Sequence, residues 1–223
     1  RFGLGDIYHT FTPGVNQFTL ETSGSNSLDT TFGSQLHYAH ELSAYVEDEF
    51  KMGSRIKGNI GLHLSSFLVG NTNYTSLQPR FSARYLLDDK SSLKASYASM
   101  TQFLHLLTNS GIGLPTDLWL PATSQVAPQF SKQIALGYAR TFFKKYELSV
   151  EGYYKTMDNL IEYKDGASFF NTQLDWQSKI QAGRGWAYGG ELLIEKKIKK
   201  ATGWIGYTLS WSNRQFDSIN FGE

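Results

Sequence analysis

The sequence contains no cysteine among its 223 residues. A chain without thiols cannot form disulfides and cannot build a thiolate metal site. It also lacks an excess of either charge, since 21 basic residues are balanced by 20 acidic ones. This balance gives no electrostatic basis for a nucleic-acid partner. Long apolar runs are missing too, and none approaches the roughly 20 residues that a transmembrane helix requires.

Aromatic residues, by contrast, are abundant, with 13 tyrosines and 15 phenylalanines. The chain as a whole is nevertheless mildly hydrophilic, with a mean hydropathy of -0.35. A soluble β protein fits this composition. A transmembrane β-barrel fits it equally well, because the residues that face its lumen dilute the hydropathy of those that face lipid.

Apolar and polar residues alternate with a period of two along most of the chain. The stretch from Leu77 to Leu107 shows this alternation twice, on either side of the four-residue break DDKS. A period of two predicts a strand, a turn and a second strand. The same signal recurs along the chain and predicts about nine strands, of which residues 2–10 form the most weakly patterned one.

Two features favour a membrane barrel over a soluble sandwich. Most of the predicted strands reach the 9 to 11 residues that a tilted strand needs to cross a bilayer. The breaks also alternate between short and long, as in outer-membrane barrels with short periplasmic turns and long outer loops. The short breaks are residues 51–54, 88–91, 143–146 and 199–203, and the long ones are 11–33, 69–76, 104–130 and 158–186.

The polar row of each strand suits a wide aqueous lumen. In the hairpin from Leu77 to Leu107 we expect one row to face lipid and the other to face the lumen. The expected lipid-facing residues are Phe81, Tyr85, Leu93 and Tyr97, and the expected lumen-facing residues are Ser82, Arg84, Lys94 and Ser96. We also expect Tyr74, Tyr146 and Trp211 to lie in the interfacial aromatic girdles.

The predicted fold is therefore an all-β, antiparallel, up-and-down transmembrane β-barrel. The two terminal strands would have unpaired edges, which a bilayer does not tolerate. The predicted number of strands is also odd, and neither end of the sequence shows closure. We therefore expect residues 1–223 to be one partial barrel domain, contributing about nine strands to a larger barrel.

Several ordered stretches together resemble a known family, the Bacteroidetes-type TonB-dependent outer-membrane receptors. The resemblance is to the C-terminal part of the barrel, in the group with an N-terminal carboxypeptidase-regulatory-like domain. It covers residues 78–223 well and residues 1–77 more loosely. The stretches are QPRFSARY, SSLKASY, QFLHLL, LPTDLWLP, QVAPQFSKQIALGYAR, EGYYKTMDNLIEYKDGA, GRGWAYGGELLIEKK and TGWIGYTLSWSNRQFDSIN.

This resemblance implies a 22-stranded barrel in the outer membrane of a Gram-negative bacterium, closed by a plug domain. Such receptors import a siderophore, haem, oligosaccharide or peptide with energy from the TonB–ExbB–ExbD complex. The plug and the TonB box have no counterpart in this sequence. Further partners implied are the lipid bilayer, lipopolysaccharide and a surface lipoprotein or larger outer-membrane assembly. The alternatives are a passive outer-membrane channel and a soluble all-β binding or adhesin domain.

Two long segments hold the candidate ligand contacts. The segment from His105 to Phe130 has three of the five prolines and is more apolar than a solvated loop requires. It either folds over the lumen mouth and offers Leu118, Trp119 and Leu120 to a ligand, or packs on itself and its neighbours. The segment 158–186 combines aromatic rings, which stack on ligands, with charged groups, which orient them. The candidate substrate-binding residues are Asp117, Trp119, Phe169, Phe170, Trp176, Arg184 and Trp186.

Nothing in the sequence predicts an enzyme, a metal site or a cofactor. His37 and His40 are three apart on a predicted strand, so their side chains point to opposite faces. The glycine-rich GRGWAYGG (residues 183–190) precedes a strand rather than a helix, and we interpret it as a loop that enters this strand. Asp88 and Asp89 are adjacent in a predicted turn and are typical turn formers.

Overall fold

The computed structural model describes residues 1–12, 36–107, 118–164, 176–196 and 202–219, and the backbone of residues 16–21 and 27–32. A short 3-10 helix covers Trp176–Lys179. No helix in these described ranges is long and apolar enough to cross a membrane. The strands in chain order are β1 (Phe2–Phe11), β2 (Asn16–Glu21), β3 (Ser27–Phe32), β4 (His37–Met52), β5 (Ile56–Val69), β6 (Thr72–Leu86), β7 (Ser91–Gln102), β8 (Leu104–Leu107), β9 (Leu118–Pro121), β10 (Gln129–Phe142), β11 (Tyr146–Tyr163), β12 (Ile180–Lys196) and β13 (Gly203–Gln215).

Nine long strands form one antiparallel sheet in the order β1-β4-β5-β6-β7-β10-β11-β12-β13. Each strand pairs with the next long strand along the chain, which gives an up-and-down meander. The nine strands run from 10 to 18 residues, so the predicted number and length are confirmed. The remaining strands pair as two hairpins, β2 with β3 and β8 with β9.

The sheet has two chemically different faces, and the register fixes their membership. Between β6 and β7, Phe81 lies opposite Tyr97, and Ser82 lies opposite Ser96. We call the face of Phe81 the apolar face and the face of Ser82 the polar face. Tyr85 pairs with Leu93 on the apolar face and Arg84 with Lys94 on the polar face, as the alternation predicts. On β10, Leu136 on the apolar face is 66% exposed.

The two ends of the sheet also differ. Connections of three to six residues join β4 to β5, β6 to β7, β10 to β11 and β12 to β13 at one end, which we call the short-turn end. The turn between β6 and β7 is closed by Asp88, whose carboxylate accepts hydrogen bonds from the Lys90 amide (2.7 Å) and the Ser91 hydroxyl (2.6 Å). These hydrogen bonds, with that of Ser91 the largest cause, hold the pKa of Asp88 below its usual value. The opposite end, with the longer connections, is the long-loop end.

The predicted long connection 69–76 is wrong, because only Gly70 and Asn71 separate β5 from β6. Gly70 has a φ of +54°, which glycine adopts readily and which allows this tight turn. The strands continue through Asn73 and Thr75, which lie on the apolar face but are polar. With both faces polar, the period-two signal disappears although the strand does not end.

The predicted loop at GRGWAYGG is also wrong, because residues 183–190 lie inside β12. The glycines there allow neighbouring groups to approach the backbone closely. A Cβ atom on Gly183 would overlap the Phe216 ring, and one on Gly189 would lie 2.7 Å from the Leu209 carbonyl oxygen. The strand character of ELLIEKK is confirmed, and the long connection before it shortens to residues 164–179.

The placement of Tyr74 in an aromatic girdle is wrong as well. Tyr74 pairs with Phe67 on the polar face, where its hydroxyl donates a 2.6 Å hydrogen bond to the Thr123 carbonyl oxygen. Tyr146 and Trp211 do lie on the apolar face, and the Trp211 ring stacks on that of Tyr188 at 5.3 Å.

Candidate functional site

The hairpin β8–β9 is packed against the polar face near the long-loop end. The polar face becomes apolar there, with Ala39, Phe67 and Val69 buried beneath Phe103 and Ala122. The rings of Phe67 and Phe103 are parallel to within 5°, with centroids 4.9 Å apart. A row of apolar side chains on an otherwise polar face would be costly in water, and the hairpin removes it from water.

A second apolar cluster attaches the hairpin to strands β11 and β12. Leu107, Leu120 and Val126 from the connection pack against Ile161 of β11 and Ile180 of β12. Leu120 is fully buried. Of the two predicted roles, contact with a ligand or packing on neighbouring residues, the structure shows packing for this side chain. The segment between β7 and β10 therefore contacts the sheet at both β5 and β12.

Hydrogen bonds complete the attachment of this connection. The Asn159 side-chain amide donates to the Pro128 carbonyl oxygen at 2.9 Å. The Thr123 hydroxyl donates to the side-chain oxygen of Gln177 in the 3-10 helix. Asn159 has a φ of +57° and marks a β-bulge in β11. The bulge turns the Asn159 side chain out of the strand ladder and towards the loop that it holds.

His105 is fully buried within the docked hairpin. The Gln129 side-chain amide lies 3.1 Å from its Nδ1 atom. Burial lowers the His105 pKa to about 4, against a smaller opposing effect of a hydrogen bond with the Ala127 backbone. The imidazole is therefore neutral near neutral pH, and its protonation opposes docking of the hairpin.

A cavity of about 350 Å³ lies on the polar face next to Gln129, the partner of His105. Its lining includes the cations Arg80 and Lys155, the amide of Gln78 and the thioether of Met157. Among the described residues, no carboxylate lies within ion-pair distance of Arg80 or Lys155. This combination offers positive charge and hydrogen-bond donors beside a soft apolar surface, so it suits an anionic group on an otherwise mixed ligand.

Nearer the short-turn end the polar face carries a second cavity of about 550 Å³. Its wall carries three basic side chains, Lys57, Arg84 and Lys94, between the acidic side chains of Glu49 and Glu151. Glu49 lies 3.4 Å from Lys57. Mixed charges at this density require water or a polar partner, so this part of the face is suited to contact with solvent or with another polar surface.

The predicted ligand-contact residues fall in three different places. Trp119 in β9 is 55% exposed. Trp176 begins the 3-10 helix and meets the His37 ring edge-on, with centroids 6.5 Å apart. Arg184 and Trp186 lie on the apolar face of β12, where the Arg184 Nε atom donates to Gln215 at 3.0 Å. Asp117, Phe169 and Phe170 lie outside the described residues.

Sequence reasoning missed Arg80, Lys155 and His105 as parts of one region. The alternation of residues along β6 and β11 places Arg80 and Lys155 on the polar face, and this alternation is visible in the sequence. The docking of the hairpin beside this cavity could not be predicted, because it depends on contacts between distant segments.

The histidines of HYAHE diverge as predicted. His37 lies on the polar face, whereas His40 lies on the apolar face, with its Nδ1 atom 3.3 Å from the Asp6 carboxylate. Within the part of the chain that the structure describes, no group of three or more metal-ligating side chains is present.

Residues 1–222 match the family model described as TonB dependent receptor-like, beta-barrel. The FrpB iron transporter from Neisseria meningitidis (F3-3 variant) matches 85% of this chain at 11% identity and a TM-score of 0.61. The ferric-catecholate import receptor Fiu from E. coli K12 matches 96% at 16% identity and a TM-score of 0.58. The alcaligin outer-membrane receptor FauA from Bordetella pertussis matches 96% at 16% identity and a TM-score of 0.54.

At these identities the structural similarity establishes the fold alone. The chain spans 28% of the matched FrpB chain, 34% of Fiu and 39% of FauA. No curated protein matches the chain. Since the family model covers nearly every residue, the nine-stranded sheet corresponds to part of a barrel of this type.

Proposed function

Because this chain belongs to the TonB-dependent receptor-like β-barrel family, we propose that it is part of an outer-membrane receptor that imports a scarce nutrient. The observation that carries this proposal is the family match over residues 1–222. The docked hairpin supports it, because a connection folded inward over the polar face narrows the entrance of the barrel. A receptor with a gated entrance retains its cargo, whereas an open pore does not.

The apolar face is the lipid-facing surface in this proposal. Its apolar side chains include Leu136, which is 66% exposed, and Ile134, which is 51% exposed. Contact with lipid removes the free-energy cost of exposing these side chains to water. The long-loop end faces the cell exterior and lipopolysaccharide, and the short-turn end faces the periplasm. This orientation follows the general rule for outer-membrane barrels.

The remaining parts of the receptor belong to the full-length protein. We propose that residues 1–223 form one partial barrel domain of a 22-stranded barrel, with a plug domain and a TonB box elsewhere. The TonB–ExbB–ExbD complex supplies energy through the plug. The Bacteroidetes-type subgroup, its N-terminal carboxypeptidase-regulatory-like domain and a surface lipoprotein partner are parts of the same proposal, and they rest on the resemblance of the ordered sequence stretches.

The cargo contacts are proposed to lie around the docked hairpin and the cavity beside it. Trp119 offers an exposed ring and Trp176 lies at the neighbouring helix, while Asp117, Phe169 and Phe170 belong to the adjoining connections. Arg80 and Lys155 add positive charge from the barrel wall. Arg184 and Trp186 contribute only if cargo reaches the outward side of β12. The cargo classes are siderophore, haem, oligosaccharide and peptide.

The decisive experiment deletes the whole gene in its host and compares growth on defined iron, sugar and peptide sources. We expect a defect on one source, which is restored by the full-length protein and not by a variant without its TonB box. Restoration by that variant contradicts energy-coupled import.

A planar-bilayer recording tests the passive-channel alternative. The receptor is expected to be nearly closed, whereas a channel conducts steadily. Extraction without detergent tests the soluble alternative. A protein that stays soluble and whose apolar face is buried by protein contradicts both membrane functions and favours a binding or adhesin domain.

A further inference from the structure

The three-residue connection between β10 and β11 contains a tight turn with unusual central residues. The Lys145 amide donates to the Phe142 carbonyl oxygen at 3.0 Å, and the two central residues, Phe143 and Lys144, have φ values of +50° and +57°. A turn with two positive φ values strongly favours Asn-Gly, because side chains with a Cβ are strained there. Here the strained positions hold a phenylalanine and a lysine. The Phe143 ring is 85% exposed.

The neighbouring residues of the apolar face extend this aromatic and basic character. Phe142 lies opposite Tyr146, and Tyr146 lies opposite Lys196 on the next strand. The Arg140 guanidinium is 5.4 Å from the Phe142 ring centroid, and the Lys196 ammonium is 6.0 Å from that of Tyr146. We call this set the anchor patch, and its members are Arg140, Phe142, Phe143, Lys144, Tyr146 and Lys196.

The charge of the anchor patch is positive on balance. It contains three cations, and Lys145 in the same turn adds a fourth nearby. The acidic group close enough for Arg140 to lower its pKa is Asp88. The Asp88 carboxylate already accepts hydrogen bonds from Lys90 and Ser91. Glu147 and Glu195 pair with each other across β11 and β12 on the opposite, polar face.

We propose that the anchor patch binds the phosphate headgroup of an anionic phospholipid in the leaflet that contacts the short-turn end. Aromatic rings prefer the boundary between acyl chains and headgroups. Lysine and arginine at that depth extend towards the phosphates, and each basic residue near an anionic surface adds to its affinity. The exposed Phe143 ring inserts beside the acyl chains, which gives the strained turn a function that Asn-Gly would not serve.

This binding needs neither cargo nor energy input, so it is independent of nutrient import. The occupant is identified by charge complementarity together with the position of the patch at the rim of the apolar face. A zwitterionic lipid would leave the three cations without a net negative partner.

The test places the full-length protein in phosphatidylcholine bilayers with trace spin-labelled phosphatidylglycerol or spin-labelled phosphatidylcholine. The fraction of motionally restricted label gives the relative association of each lipid with the protein surface. We expect phosphatidylglycerol to be preferred. In the double variant Lys144→Gln with Lys196→Gln, each lysine removed should lower that preference about fivefold.

The matched control is Lys132→Gln at the other end of β10. The Lys132 ammonium also lies over an aromatic ring, at 5.4 Å from the Phe130 centroid, but it belongs to no strained turn. We expect this variant to keep most of the phosphatidylglycerol preference. An equal loss with Lys132→Gln, or no preference in the wild type, overturns the proposal.

A second variant, Phe143→Asn, separates lipid binding from folding. Asparagine tolerates positive φ values, so the variant is expected to fold at least as stably as the wild type. It is nevertheless expected to bind phosphatidylglycerol less well. Unchanged lipid preference in this variant shows that Phe143 has no role in the site, and retention of the preference in the double lysine variant overturns the proposal.

Discussion

At the scale of single residues, the glycines of β12 differ in how closely neighbouring groups approach their backbone. Gly183 lies under Phe216, which is only 6% exposed and follows β13. Gly190, in the same strand, has as its nearest neighbour the Glu151 carbonyl oxygen, 3.8 Å from the Cβ position. The two positions therefore have the same secondary structure and different amounts of space.

We expect Gly183→Ala to destabilise the full-length protein by about 1–3 kcal/mol, the usual cost of overpacking. The added methyl group would overlap the Phe216 ring and the Gln215 carbonyl, and a backbone carbonyl cannot yield as a flexible side chain can. Urea unfolding followed by tryptophan fluorescence measures the change. Gly190→Ala is the matched control, and a loss of similar size in both variants contradicts the explanation by close approach.

A second residue-scale prediction concerns His105 and pH. The free imidazole has a pKa of 6.5, and the buried one has a pKa of about 4. Between these values the undocked hairpin binds more protons than the docked one, so acidification favours undocking. The full shift is worth on the order of 3 kcal/mol. Stability of the docked hairpin is complete above pH 6.5 and declines as the pH falls towards 4.

Hydrogen exchange of Leu104–Leu107, corrected for the intrinsic pH dependence of exchange, measures this decline. We expect protection to decrease between pH 6.5 and pH 4 in the wild type. In His105→Gln the side chain does not titrate, so protection should be independent of pH over this range. A decline of equal size in that variant assigns the effect to another group.

At the scale of elements, most strands and short turns were predictable, whereas the structure of the longer connections was not. Strands β4, β7 and β10 carry one apolar and one polar row, so their period of two is visible. Residues 72–76 and 183–190 are also strand, but they carry polar residues or glycines where the apolar row would continue. Docking of β8–β9 depends on pairs such as Phe67 and Phe103, which are distant in sequence. For that reason the alternation could place Arg80 and Lys155 on a face but could not enclose them in a cavity.

The element-scale prediction is that the hairpin can detach while the sheet stays folded. Leu120→Ala removes a fully buried side chain and should cost about 2–5 kcal/mol of docking free energy. Exchange at Leu104–Leu107 is expected to accelerate, while exchange in β10 and β11 is unchanged. Leu106→Ala, at a position that is 39% exposed, should have a much smaller effect. If Leu120→Ala instead lowers protection in β10 and β11 equally, hairpin and sheet form one cooperative unit.

At the scale of the whole molecule, the sorting of side chains between two faces decides which solvent each face can meet. Leu136→Arg places a charge on the apolar face and should cost about 2–4 kcal/mol if that position lies near the middle of a bilayer. Gln133→Arg places the same charge on the polar face, three residues away in β10, and should cost little. Denaturant titration of the full-length protein in lipid vesicles measures both. Equal costs contradict lipid contact at the apolar face.

The meander has a consequence for how the protein is made. Because every long strand pairs with its immediate successor, no pairing must wait for a distant part of the chain to be synthesised. The sequence separation of contacts stays small, which favours rapid formation of each ladder. Assembly of the sheet can therefore advance hairpin by hairpin along the chain, with each long strand pairing onto the edge of the one before it.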